Sequence, residues 1–178
     1  DGSEFNIARN LKDADTFHEP NGKSVSGFNM VHTISLYEVC SKRYLDLEVQ
    51  PERLKNEFQA ICNLMDRYAY GGFPIFIADR GFSSYNVFAH AIENNVDFLI
   101  RAKDLNVQRF LGVGTLPDKL DTTIELILTR TQSKKKHKHP EKESQYHYIC
   151  KNIAFDYLNP TDISDEYLLK LRIVRVEV

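Results

Sequence analysis

The pattern of apolar and polar positions changes its period along the chain, and each change marks an element. Residues 73–78 (FPIFIA) are a short, almost uninterrupted run of strand formers, the pattern of a strand buried on both faces. The run stops at Asp79-Arg80-Gly81. Behind it Ser83 and Ser84 are two candidate N-caps, and Tyr85, Phe88 and Ile92 follow at helical spacing. Asn94-Asn95 breaks that helix, and residues 97–102 return as a strand. The unit is therefore strand, acidic tip, helix, strand. Its one carboxylate stands at the carboxyl end of the first strand, the edge where open α/β sheets gather ligands. An acid in that place also reads as a solvated turn residue.

The same reasoning predicts the flanking elements. Residues 4–8 alternate as a short strand, and 10–26 are polar and rich in turn formers, a loop. Residues 28–40 (FNMVHTISLYEVC) and 43–49 (RYLDLEV) predict a hairpin through Ser41-Lys42. In its second strand Tyr44, Asp46 and Glu48 alternate with Leu45, Leu47 and Val49, so one face is mostly polar and the other apolar. Pro51 stands where a helix takes its first residue. Leu54, Phe58, Ile61, Met65 and Tyr68 then form one helical stripe, expected as core, with Glu57 on the solvated side. His32, among apolar neighbours, is expected as a hydrogen-bonded core histidine. Three early strands suggest an antiparallel meander, and the later alternation adds parallel strands, giving a mixed sheet flanked by helices.

Beyond Lys103 the periodicity weakens. Residues 106–119 carry two glycines and a proline without clear pattern. Residues 121–130 (DTTIELILTR) read as a strand, with 145–154 as its hairpin partner and 159–166 as a turn-rich link. Residues 168–178 alternate as a strand whose parity flips at Ile173-Val174, where a bulge would keep one face buried.

Composition narrows the class. A chain of 178 residues holds one sizeable core with an appended subdomain. The net charge of −2 conceals a basic run, Lys134-Lys135-Lys136-His137-Lys138-His139. Such a run is either a solvated loop or, beside DNA, a clamp on its backbone, and without interleaved aromatics it gives no base-stacking platform. The three cysteines have no CxxC spacing and read as reduced, partly buried thiols of a cytosolic protein. No run of eighteen apolar residues and no signal-peptide pattern points to a membrane or to export. The chain opens without Met and closes inside an expected strand, which suggests a fragment of a longer protein.

Several of these residues together carry a family resemblance. They are DGSEFNI at the start, the strand with His32 and Tyr37, the helix with Glu57, and above all IADRGFSSYNVF followed by NNVDFLIRAK. The constellation resembles bacterial DDE transposases of the insertion-sequence-4-like group, well over residues 1–103 and loosely beyond. That resemblance implies a mixed α/β, ribonuclease-H-like fold and acids that hold two divalent metals. The family's first acid lies in an Asp-Gly-Ser/Thr motif, here Asp1, and its second follows the apolar strand, here Asp79. Carboxylates on neighbouring strands suit a pair of Mg²⁺ or Mn²⁺ ions about 3.5–4 Å apart. One ion would activate water or a DNA 3′-hydroxyl and the other would stabilise the leaving oxygen.

The family's third acid lies on a later helix in a Tyr-x2-Arg-x3-Glu-x6-Lys pattern, and no Arg in this chain has a Tyr three residues before it. Residues 1–104 are accordingly expected as the first part of the catalytic core. Residues 105–178 are expected as a β-rich insertion and returning strand, with the chain stopping before the final helix and inactive alone. Arg80, Arg101, Lys103, Lys134, Lys135, Lys136 and Lys138 are expected phosphate contacts. The resemblance further implies double-stranded DNA, at transposon ends and target, as partner. It implies a homodimer for the full-length protein, a bacterial cytoplasmic, nucleoid-associated location, and metal-dependent cleavage and strand transfer. Two rivals stand beside it: a related metal-dependent nuclease, and a non-catalytic, domesticated DNA-binding module.

Overall fold

A computed structural model of the chain describes residues 2–176, apart from the side chain of Lys134. The fold divides into two compact units, one running to Leu99 and the other beginning at Ile100. In the first unit, strands β1 (Gly2–Ile7), β2 (Phe17–His18), β3 (Phe28–Glu38) and β4 (Arg43–Pro51) form one sheet, and β3 pairs antiparallel with each of the others. The β3–β4 hairpin forms as expected, but β3 ends at Glu38, the connection is residues 39–42 rather than Ser41-Lys42 alone, and the register shifts between Leu36 and Tyr37. Lys42 takes a positive φ of 56°, and the Glu38 carboxylate accepts the amide hydrogens of Cys40 and Ser41 at 2.8 and 2.7 Å.

Helix α1 (Glu57–Asp66) is the first place where structure and pattern part. It starts behind Asn56, whose Oδ1 accepts from the Gln59 amide at 3.1 Å, while Glu52–Leu54 is a separate 3-10 turn and Pro51 closes β4. The expected stripe is therefore only half core. Leu54 and Phe58 are 61% and 43% exposed, whereas Ala60, Ile61, Cys62, Leu64 and Met65 are buried. An asparagine side chain that satisfies a free helical amide fixes the start more firmly than a proline with no amide to cap.

The helix also sits on the polar side of the hairpin. Asn63 donates to Glu48 at 2.8 Å, and the Arg67 guanidinium spans Asp46 (Nε to Oδ2, 2.7 Å) and Glu48. Hydrogen bonds from Arg67 hold the Asp46 carboxyl below its ordinary pKa. The opposite face carries Phe5, Ile7, Leu47 and Val49, all at least 42% exposed. An open groove of about 680 Å³ lies there between Ser3, Phe5, Thr33, Ser35 and Leu47.

Strand β5 (Ile75–Ala78), helix α2 (Tyr85–Glu93) and strand β6 (Asp97–Ile100) complete the first unit's order. Strands β5 and β6 pair with each other as a two-stranded sheet. Among the described residues no ladder joins them to the four-stranded sheet, so the single mixed sheet expected from the sequence is not seen as such. Nor is β5 buried on both faces. Phe76 packs edge-on to Tyr68 with ring centroids 5.7 Å apart, and Phe98 of β6 stacks on Phe88 of α2 at 5.4 Å. Ile75, Ile77 and Leu99, which alternate with them, are 62%, 69% and 64% exposed. An unbroken apolar run specifies a strand but not how many of its faces find a partner.

The second unit holds helix α3 (Asp104–Leu111) and strands β7 (Leu120–Thr129), β8 (Tyr146–Tyr148) and β9 (Glu166–Arg175). Helix α3 falls in the stretch without clear periodicity. It buries Val107 alone and ends on Gly112, whose φ of 67° is the left-handed closure that glycine takes without penalty. Strand β9 pairs antiparallel with β7 along its whole length, from Leu120↔Arg175 to Thr129↔Glu166, without interruption. The expected bulge at Ile173-Val174 is therefore absent, and Val174 and Val176 stay 56% and 67% exposed. Residues 145–154 are not the hairpin partner of β7. Only Tyr146–Tyr148 pair with it, and in parallel, on the edge of β7 opposite to β9. Leu126, Leu128, Ile149, Phe155 and Leu169 form the core of this unit.

Candidate active site at the tip of strand β5

Where β5 ends, the chain turns sharply and fixes an acid. Asp79 has extended backbone (φ −77°, ψ 179°), and its Oδ1 accepts from the Gly81 amide at 2.7 Å, capping the 3-10 turn Arg80–Phe82. A Cβ on Gly81 would lie 2.9 Å from that same Oδ1, so glycine is what lets the carboxylate close on the turn. Phe82, 5% exposed, pins the turn to the core, and Ser84 Oγ accepts from the Val87 amide at 3.2 Å to start α2. Of the two candidate caps, Ser84 is the one used. Asp79 is itself exposed, and no cationic side chain among the described residues pairs with it.

The start of β1 is the other half of the expected site. Asp1 lies outside the described residues. Its neighbour Gly2 lies against the imidazole of His32 and the carboxylate of Glu57. His32 is 3% exposed, and its Nε2 lies 3.2 Å from Glu57 Oε1. Glu57, expected to be solvated, is 48% exposed and reaches His32 from the first turn of α1. His32 is buried as expected, yet neither ring nitrogen makes a well-directed hydrogen bond among the described residues. The sequence marks both residues through the family resemblance, but nothing in it shows that they meet.

The expected phosphate contacts divide between the units. Arg80 is exposed beside Asp79 in the first. In the second, Arg101 and Lys103 are exposed, and the Lys103 carbonyl accepts from the Asn106 and Val107 amides at the head of α3. Lys135, Lys136 and Lys138 are exposed on and after the 3-10 turn Lys134–Lys136. Their segment is anchored at its end. His137 stacks on Tyr146 with ring centroids 3.7 Å apart. The Lys138 amide and the Tyr146 hydroxyl both donate to Glu166 Oε1, at 3.1 and 3.0 Å.

A divalent metal would find in Asp79 one hard oxygen donor at a strand tip, which suits Mg²⁺ or Mn²⁺. Among the described residues no group of three or more His, Cys, Asp or Glu side chains is placed to hold a metal. Within the same residues no helix is long and apolar enough to cross a membrane.

A family model described as "Transposase DDE domain" matches residues 1–171. The chain belongs to the transposase DDE domain family. No curated protein and no solved structure matches it. Transposase DDE domains are DNA-cleaving, phosphoryl-transfer modules that generally use divalent metals, and they have DNA as their partner. The mixture of sheets and helices seen here is consistent with such a domain.

Proposed function

We propose that this transposase DDE domain contributes Asp1 and Asp79 as metal ligands for cleavage and strand transfer at transposon-end DNA, in the manner of the insertion-sequence-4-like group. The observation that carries the reading is the exposed Asp79 carboxylate, held by its own turn at the carboxyl end of β5 and free of any cationic partner among the described residues. A carboxylate already neutralised by arginine or lysine would be a poor metal ligand. Bound Mg²⁺ or Mn²⁺ would supply an activated water or 3′-hydroxyl and stabilise the leaving oxygen of an in-line displacement. The turn Arg80–Phe82 would keep the Asp79 side chain from swinging away. The exposed Arg80, Arg101 and Lys103, with Lys134 to Lys136 and Lys138, would neutralise phosphates of the duplex and so set its affinity rather than its sequence choice.

The test is a Mn²⁺ titration of the chain and of Asp79→Ala. Affinity should fall by at least an order of magnitude in the variant while its thermal unfolding stays close to that of the parent, because Asp79 contributes one exposed cap. Equal Mn²⁺ affinity in the two proteins would end this reading.

A further inference from the structure

Strand β1 begins on a glycine that has no room to be anything else. An ideal Cβ on Gly2 would fall 2.1 Å from Cε1 and 2.4 Å from Nε2 of His32, and 2.7 Å from Glu57 Oε1. No such approach is possible between real atoms, so glycine is required here by space rather than by backbone conformation. The ring that takes the space is an odd choice for a filler. It is 3% exposed, and neither nitrogen has a well-directed hydrogen bond among the described residues. Burying an imidazole in this way costs free energy that an aliphatic side chain would not. Glu57 Oε1, 3.2 Å from Nε2, offsets part of that cost from the first turn of α1. The pair thus ties three elements together at one point, the start of β1, the middle of β3 and the head of α1.

We infer that His32, braced by Glu57, is a positioning residue for the first acid. Its ring stands where a side chain of residue 2 would stand, and so sets the strand backbone that directly follows Asp1. The inference rests on the reading above that Asp1 and Asp79 hold a metal. A ring that merely filled the core would affect stability and leave metal affinity alone.

The experiment is a Mn²⁺ titration, with thermal unfolding measured on every protein and each titrated well below its midpoint. The set is the parent chain, Asp79→Ala, His32→Ala, His32→Gln, Gly2→Ala and the Gly2→Ala/His32→Ala pair. His32→Ala should weaken Mn²⁺ binding by about tenfold, the lower end for an outer-shell partner of a metal ligand. Gly2→Ala should weaken it at least as much. In the double variant the added methyl enters the space left by the ring, so binding should be tighter than in Gly2→Ala. His32→Gln, which keeps most of the bulk, should bind nearly as the parent does. Binding that depends on Asp79 but is unchanged in His32→Ala and Gly2→Ala overturns the positioning role and leaves the metal reading standing. Binding indifferent to Asp79 removes both. If Gly2→Ala does not fold, the contrast between His32→Ala and His32→Gln decides.

Discussion

Replacing Arg67 by Met removes the strongest polar link between α1 and the sheet. Arg67 meets Asp46 through two nitrogens, Nε to Oδ2 at 2.7 Å and Nη2 to Oδ1 at 3.2 Å, and Nη2 also donates to the Leu47 carbonyl at 3.1 Å. Its remaining nitrogen, Nη1, donates to Glu48. The carboxylates are 21% and 16% exposed and Arg67 is 40% exposed, so the cluster is neither a dry core pair nor a free surface pair. Charge-assisted hydrogen bonds inside proteins contribute about 1.5–3 kcal/mol and exposed ion pairs about 0–1; discounting for solvent at Arg67 leaves a cost of about 2 kcal/mol for the substitution.

The pH dependence identifies the cause. Arg67 lowers the pKa of Asp46 in the folded protein, so this stabilisation is complete above the unfolded-state value and is lost as pH falls through the lower folded-state value. Urea unfolding curves at pH 7 and at successive steps down to about pH 3 should therefore show the two proteins converging, since the unfolded aspartate titrates near about 3.9. A gap that stays constant across that range would refute the electrostatic account and leave only lost packing of the arginine stem. A gap under about 0.5 kcal/mol at pH 7 would place the cluster with ordinary surface pairs.

Other substitutions probe other links. Ser84→Ala removes the cap of α2 and should lower stability by about 1 kcal/mol in chemical denaturation, with no change in buried area. Leu169→Ala empties a fully buried site in the β7–β9 sheet and should cost about 3 kcal/mol, independently of added metal. Changing Lys135, Lys136 and Lys138 together to Gln should weaken duplex binding at low salt. It should also flatten the plot of log affinity against log salt by about 2.7, roughly 0.9 for each phosphate no longer neutralised. An unchanged slope would exclude these lysines from the phosphate interface.

What is legible in the sequence follows the strength of its local signals. The β3–β4 hairpin, the Ser84-capped helix and strand β7 combine a clear period with turn or cap residues, and each forms close to where its pattern predicts, the hairpin through a longer connection. Helix α3 is hidden because it is only eight residues long and buries only Val107, with Gly112 and Gly114 directly behind it. The partners of β7 differ from expectation for another reason. The nearest downstream strand suggests a hairpin, but β9 pairs antiparallel along one edge of β7 over ten residues, and β8 takes the other edge over three residues, in parallel. The hairpin's alternation is correct, yet it does not reveal that α1 lies on the polar face. That depends on Asn63 and Arg67 meeting Glu48 and Asp46, a match between side chains far apart in sequence. At the candidate site, Asp79 stands out because the apolar run ends abruptly on it. The His32–Glu57 pair does not, since nothing local tells a strand histidine that a helix glutamate will turn toward it.

The unclad side of the β5–β6 ladder has a consequence for association between copies of the chain. Ile75, Ile77 and Leu99 together make a greasy strip on a short two-stranded ribbon, the kind of surface to which other chains adhere. Light scattering should rise steeply with protein concentration, and Ile77→Lys should suppress it.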